Sequence, residues 1–459
     1  MINKTETIAA ISTAMTNSGI GIIRISGDDS LKIIKKIFRP YKDKDIECEP
    51  SFTVHYGTIA DGGNVIDEVL VLVMKGPHTY TREDTVEIDC HGGIFVVRKI
   101  LELVLRSGAR PAEPGEFTKR AFVNGRIDLS QAEAVIDLIN AENNYALKSA
   151  VTQLKGSVSE KIKALRAEIL EKVAYIEAAL DDPEHIEMEN FGEELLPVID
   201  KCRAEIDELI ANSDSGRIIK EGIKTVIVGK PNVGKSSLLN ALLGSERAIV
   251  TDIAGTTRDT LEESISLGDV SLNIVDTAGI RDTQDIIEKI GVDKAREASQ
   301  DADLIVFIID ASKPVDEDDM KIAELIKGRR AIVLINKTDL PRQADTAGIL
   351  ENFDCPVIET SVTENTGIDE FVKTVKDMFY SGDIDFNNQV FITNARQKAA
   401  LIAASESLAI TAESIENGLS EDFYTIDMMD AYESLGQVIG EAIEDDLADE
   451  IFSKFCMGK

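Results

Sequence analysis

Little in this chain is arranged for cross-linking, membrane crossing or redox chemistry. Its five cysteines, at positions 48, 90, 202, 355 and 456, form no CxxC pair, so neither a disulfide frame nor a zinc site is expected. No apolar run approaches the ~20 residues that span a bilayer. The N-terminus lacks a signal-peptide pattern, so a soluble, cytoplasmic protein with no membrane partner is expected. No GxGxxG fingerprint for a flavin or nicotinamide nucleotide is present, and any redox step therefore needs a partner. Positive charge is scarce: 49 lysines and arginines face 83 acidic residues, a formal charge of −34. That excess does not fit simple nucleic-acid binding. The deficit is uneven, because residues 1–126 carry 17 basic and 17 acidic side chains while residues 383–459 carry 4 against 16. If a polyanion docks, the neutral first third is its surface, with Arg106, Arg110, Lys119, Arg120 and Arg126 as the densest basic stretch. Charge alone fits an ordinary solvated surface equally well.

What is present is abundant patterning. At 459 residues the chain exceeds the ~250–300 residues that one core usually reaches, so several domains are expected. Thr7–Thr13, Gly19–Ser26, Phe52–Ile59, Val65–Met74 and Thr85–Cys90 read as strands, and Ile94–Leu105 as a helix, giving an α+β module. From Asp128 and Ser130, good N-caps, the pattern turns helical. Ile162, Leu165, Ile169, Val173, Ile176 and Leu180 form one apolar stripe, stopped at Asp181-Asp182-Pro183. Leu195, Ile199, Cys202, Ile206 and Leu209 mark a second, followed by a polar break over Asn212–Gly216. Strand and helix alternate from about 218 to 380, which implies a mostly parallel sheet. Beyond Gly382 two further helical stripes run through Leu401–Ile415 and Met428–Leu447. Helical segments thus flank the α/β stretch; they pack on one another, making it an insertion, or on a second copy.

The organising motif is Gly229-Lys-Pro-Asn-Val-Gly-Lys-Ser236 after the apolar strand Thr225–Val228. It reads as a P-loop: glycines let backbone N–H groups turn toward phosphates, and the following helix adds its positive end. Lys235 neutralises the outer phosphates and Ser236 ligates Mg²⁺. Asp276-Thr277-Ala278-Gly279 follows a strand, its Asp suited to Mg²⁺ and its Gly to the γ-phosphate. Asn336-Lys337-Thr338-Asp339 follows another. Its Asp accepts from the ring N–H and exocyclic amine of guanine, donors that adenine lacks there. Thr360-Ser361 touches the base, and Thr257, in Gly255-Thr256-Thr257, is the candidate switch threonine over Mg²⁺. The full GTP set is Asn232, Val233, Gly234, Lys235, Ser236, Ser237, Thr251, Asp252, Ile253, Ala254, Gly255, Thr256, Thr257, Asp276–Gly279, Asn336, Lys337, Asp339 and Ser361. Ile280 stands where Ras-like proteins place a catalytic glutamine.

The set resembles translation-factor-related GTPases, and the flanks resemble one family among them. Gly21-Ile-Ile-Arg-Ile-Ser-Gly27, Glu87-Ile-Asp-Cys-His-Gly-Gly93, Pro114-Gly-Glu-Phe-Thr-Lys-Arg-Ala-Phe122 and the ending Phe455-Cys-Met-Gly-Lys459 are similar to the MnmE (TrmE) family of tRNA modification GTPases. The resemblance implies an α+β tetrahydrofolate-binding and dimerisation domain over 1–120 and a discontinuous α-helical domain over 121–217 and 383–459. It implies an inserted α/β P-loop GTPase domain over 218–382. It implies a homodimer that pairs with an MnmG-type flavoprotein in a heterotetramer. That complex adds an aminomethyl-type group to carbon 5 of the tRNA wobble uridine, from a 5-formyl- or methylene-tetrahydrofolate donor. It further implies K⁺ held by Asn232, Thr251, Ile253 and Thr256, catalysis by Glu288 with Asn232 and Lys235, and folate contacts at Arg24, Glu87, Arg126 and Lys459. Position 126 is lysine in some members, so arginine keeps the charge. A GTP-dependent assembly switch for an RNA or ribosomal particle shares the nucleotide motifs, but has no need of the N-terminal motifs or the Cys-Met-Gly-Lys end.

Overall fold

The computed structural model describes residues 6–42, 44–182, 185, 191–244, 248–250, 263–275, 301–346, 355–380, 390–441, 445–455 and 458. Its contacts divide the chain into two units, Met1–Ile136 with Leu435–Lys459, and Asp137–Ser434.

The first unit begins β1 (Ile8–Ile11), β2 (Ile20–Ser26), α1 (Ser30–Ile37), β3 (Phe38–Pro40), β4 (Thr53–Asp61), β5 (Asn64–Met74), β6 (Thr85–His91), α2 (Ile94–Arg106), β7 (Arg110–Pro111), α3 (Glu116–Val123) and α4 (Leu129–Ile139). Its sheet has the order β3-β4-β5-β6-β2-β1-β7 and is antiparallel except where β7 joins β1. Period-2 alternation sends Ile23, Ile25, Val71, Val73, Val86 and Ile88 to one buried face with residues of α1 and α2. Arg24 and Glu87, the alternate positions, occupy the other face. The strand expectations hold within a few residues, but α1 is an addition. Its eight residues bury Leu31, Ile33, Ile34 and Ile37, a stripe too short to stand out among β-branched neighbours. Asp128 and Gln131 cap α4 reciprocally: Gln131 N donates to Asp128 Oδ1 at 3.0 Å and Asp128 N to Gln131 Oε1 at 3.0 Å.

The second unit continues with α5 (Asn144–Leu154), α6 (Ser157–Asp181), α7 (Phe191–Glu221), β8 (Ile223–Val228), α8 (Lys235–Leu243), β9 (Ala248–Val250), β10 (Glu263–Leu267), β11 (Ser271–Ile274), β12 (Leu304–Asp310), α9 (Glu317–Ile326), β13 (Ala331–Asn336), β14 (Val357–Thr360), α10 (Ile368–Phe379), α11 (Ala395–Glu416) and most of α12 (Glu421–Ile439). The sheet order is β14-β13-β12-β8-β11-β10-β9, parallel from β14 to β11 with β10 and β9 antiparallel at the edge. Both faces are buried: Ile227, Val306, Ile308, Ile332 and Leu334 on one, Val226, Val228, Ile305, Phe307 and Val333 on the other.

The helices flanking this sheet pack on one another within the unit. Ser405 Oγ of α11 donates to Asp207 of α7 at 2.7 Å and Lys398 pairs with Asp214 at 2.8 Å. The break expected over Asn212–Gly216 is absent, because α7 runs through it unbroken. Ser213 and Gly216 are small for contact: a Cβ on Gly216 would collide with the Ile392 carbonyl. Small polar residues there serve close packing, which a one-dimensional reading takes for a loop. The chain then returns to the first unit through α13 (Asp445–Ser453), whose Phe452, with Phe455, packs among Ala121, Ile127, Leu129 and Ala132.

Candidate functional site

In the second unit, β8 feeds the glycine turn and α8 opens at Lys235. Gly229 at φ 151° and Gly234 at φ 110° take left-handed conformations, as does Asn232 at φ 63°. A Cβ on Gly229 would stand 2.5 Å from the Ile308 carbonyl, and one on Gly234 would run into the Asn336 amide. Glycine is therefore required at both. Val233 is buried beneath the turn, Asn232 and Ser237 are exposed, and Lys235 and Ser236 are half-buried. Lys235 folds back over the loop, donating to the carbonyls of Gly229 at 2.6 Å and Lys230 at 2.8 Å. Burial holds its pKa below the ordinary lysine value. The first amides of a helix have no intrahelical partner, so this turn and the N-terminus of α8 form an anion cradle with a lysine inside it.

A second motif closes on that turn from β13. Asn336 donates to the Val233 carbonyl at 2.9 Å and accepts from Thr360 Oγ1 at 3.3 Å. Lys337, at φ 67°, donates to the Asn232 carbonyl at 2.7 Å and pairs with Asp310 at 2.7 Å. Burial pushes the Asp310 carboxyl upward, but Lys337 and Ser312 outweigh it and hold it below the ordinary range. Asp339 is exposed and accepts from Ser361 Oγ at 2.7 Å. Residues about a hundred positions apart thus meet around one loop. Thr251, Asp252, Ile253, Ala254, Gly255, Thr256, Thr257, Asp276, Thr277, Ala278, Gly279 and Glu288 lie outside the described residues.

The first unit carries a separate cluster. Arg24 on β2 and Glu87 on β6 stand directly opposite in register and pair at 2.7 Å, their side chains 19% and 17% exposed. The Arg24 guanidinium lies 5.9 Å from the Tyr80 ring centre and 5.6 Å from that of Phe117. Arg126 covers the same Tyr80 ring at 4.7 Å. The chain end arrives here too: the Gly458 carbonyl accepts from Ser12 Oγ at 3.1 Å and from Arg24 Nη1 at 3.4 Å. Lys459 and Cys456 lie outside the described residues. Behind the cluster, Arg120 and Glu116, each 3% exposed, pair at 2.9 Å. Glu83 and Arg110 extend that network, Glu83 meeting Arg120 at 3.0 Å and Arg110 meeting Glu116 at 2.6 Å. The basic stretch offered as a polyanion surface is therefore partly consumed inside the protein, with Arg106 also paired to Asp61 at 2.8 Å.

Residues 7–126 match the family model of the GTP-binding protein TrmE N-terminus, and residues 129–456 match that of the MnmE helical domain. The tRNA modification GTPase MnmE of Lachnoclostridium phytofermentans is 54% identical over 457 residues, covering 99% of this chain and 100% of that protein. The protein of the same name from Thermoanaerobacter pseudethanolicus is 51% identical, with 99% of each chain covered. The chain belongs to the MnmE family of tRNA modification GTPases. It is a multidomain P-loop protein with a helical domain, and a GTP hydrolase. The MnmE relative from Clostridioides difficile is 48% identical, again with 99% of each chain covered. Two solved structures are similar over part of the chain. The G domain of the T. maritima FeoB iron transporter is 22% identical, covering 35% of this chain and 99% of that one, at TM-score 0.26. An Era variant from Aquifex aeolicus bound to GDP and AlF4⁻ is 30% identical, covering 40% and 66%, at TM-score 0.26. At such scores family membership rests on the sequence relatives.

Two site residues escaped the sequence reading. Asp310 anchors Lys337, and its signal was an acid ending the fully buried strand Leu304–Asp310. Lys230 ties the glycine turn to the capping acids of α9, meeting Asp316 at 2.9 Å and Asp319 at 2.6 Å. No local pattern signals that pairing.

Proposed function

We propose that this chain is the GTP-hydrolysing component of a complex that adds an aminomethyl or carboxymethylaminomethyl group to carbon 5 of the tRNA wobble uridine. The carrying observation is the cluster of Arg24, Glu87, Arg126 and the chain end in the same chain as a lysine-containing phosphate cradle. The donor set fits a folate. Arg24 and Arg126 are suited to its glutamate carboxylates, Glu87 accepts from the amine and N–H of a pterin, and Tyr80 offers a ring face. When bound, a 5-formyl- or methylene-tetrahydrofolate supplies the one-carbon unit, and an MnmG-type flavoprotein in a heterotetramer supplies the redox step.

In the nucleotide site Lys235 holds the outer phosphates, Ser236 with Thr257 holds Mg²⁺, and Asp339 with Ser361 reads guanine. Asn232, Thr251, Ile253 and Thr256 hold K⁺, and Glu288 positions the attacking water. The division into 1–120, 121–217, 218–382 and 383–459 belongs to the same reading, as do a cytoplasmic location and a homodimer through the N-terminal domain. Val54, Tyr56 and Leu70, which lie 57%, 50% and 43% exposed on the outward face of the first sheet, support that dimer. Among the described residues no helix is long and apolar enough to cross a membrane.

The test is GTP turnover in potassium and in sodium, beside a titration with 5-formyl-tetrahydrofolate and a measurement of mass in solution. Turnover that needs potassium, saturable folate binding lost in Arg24→Ala, and a dimeric mass are expected. Equal rates in both salts remove the Asn232 cation site. Folate binding that survives Arg24→Ala removes the folate site.

A further inference from the structure

The β10–β11 hairpin joins the stretch of chain that carries Thr257, the candidate switch threonine, to the Asp276–Gly279 motif. Thr257 precedes β10, and Asp276–Gly279 follows β11. One face of the hairpin is ordinary core, with Ile265, Leu267, Leu272 and Ile274 buried. The other face is polar: Ser266 and Ser271 are register partners, as are Ser264 and Asn273. A polar hairpin face normally stays in water, yet Ser266 and Ser271 are 4% and 2% exposed. Buried hydroxyls need partners, and the loop between α4 and α5 supplies them. Ser264 Oγ donates to the Glu142 carboxylate and Ser266 Oγ to the Glu142 carbonyl at 2.7 Å. Asn143 donates to Ser271 Oγ at 3.0 Å. Its other amide atom caps α5 by accepting from Ala146 N at 2.8 Å. At the hairpin turn, Asn144 donates to Asp269 at 3.1 Å. Asn273, finally, donates to the carbonyl of Glu221, the last residue of α7.

We propose that Glu142 and Asn143 are positioning residues for GTP hydrolysis, setting the hairpin against α5 and so fixing Glu263 and Ile274, the strand ends nearest in sequence to Thr257 and Asp276. This rests on the reading of Thr257 as the switch threonine and of Asp276–Gly279 as the Mg²⁺ and γ-phosphate motif. One side chain fixes both the start of α5 and the strand leading to Asp276. A shift of the hairpin is therefore also a shift of α5.

The test unties the hairpin and leaves the cap of α5 intact, in the full-length protein carrying Ser264→Ala, Ser266→Ala and Ser271→Ala together. The expected result is a kcat for GTP lowered about five- to tenfold, with KM and GDP affinity within about twofold. Asn143→Ala alone should lower kcat similarly, and added to the triple variant should lower it little further. A merely structural role predicts a lower Tm with kcat per folded molecule unchanged, and that result overturns the proposal. A parallel fall in GDP affinity overturns it too, by placing the effect on the pocket. Thr257→Ala is the independent check on the switch reading. If that variant still turns over GTP, the switch reading fails whatever the serines do.

Discussion

The two candidate sites are built in opposite ways. At the glycine turn, Lys235 finds its partners five and six positions back along the chain, held there by a strand, a turn and a helix in immediate succession. In the first unit, Arg24 finds Glu87 63 positions away and the Gly458 carbonyl 434 positions away. The lysine cradle exists once about a dozen consecutive residues adopt their conformations, and only its outer wall, Asn336 and Lys337, comes from a distance. The second exists only when an antiparallel sheet is in register and the chain end has docked. A change in the local site should therefore alter function alone, whereas a change in the assembled site should alter function and stability together.

The largest expected effect tests the local half of that contrast. Lys235→Ala should weaken GTP binding about a hundredfold, the range of one or two charge-assisted hydrogen bonds to phosphate, with Tm of the ligand-free protein unchanged. Calorimetric titration and a melting curve on the same sample decide it, and a large fall in Tm would break the comparison. Arg24→Ala tests the other half. It leaves Glu87 mostly buried without its partner and takes one of two donors from the Gly458 carbonyl, so a loss of about 2 kcal/mol is expected beside the loss of folate affinity. Chemical denaturation of the ligand-free variant measures it, and an unchanged midpoint would make the pair a surface feature.

Acid sharpens the difference further. Burial alone would raise the Glu116 carboxyl, but Arg110, the Glu113 amide and Arg120 hold it below the ordinary glutamate value. A depressed carboxyl stabilises the fold fully above its unfolded value of ~4.3 and loses that contribution as pH falls through the folded value. Hydrogen exchange of α3 should accelerate below that range, and Arg110→Met should move the onset to higher pH. An onset that stays put in Arg110→Met would remove the ion pair from the acid response. The smallest effect is expected at Ser361→Ala, which removes one hydrogen bond to Asp339 and should cost about 1 kcal/mol of GTP affinity. Inosine triphosphate, which lacks the exocyclic amine, should lose less than GTP on the same substitution.

Whatever follows from neighbours along the chain could be read from the residues. The glycine turn, the apolar runs of the parallel sheet and the stripe from Ile162 to Ile176 were all legible. Each depends on short-range geometry or a fixed periodicity. The motifs near Glu87 and the chain end were legible as a family resemblance. Their physical meaning was not, because nothing local says that Gly458 will sit against β1 with a Cβ position filled by the Ile11 carbonyl. Tertiary structure alone decided three other matters: that α7 runs through Asn212–Gly216, that Arg120 is spent on Glu116 and Glu83, and that Asp310 holds Lys337. In each case the residue type states only what a side chain needs, whether small volume, an opposite charge or a donor. Which distant segment meets that need is settled by the register of the sheets and the packing of the helices, where the cost of an unmet group is high enough to select one partner.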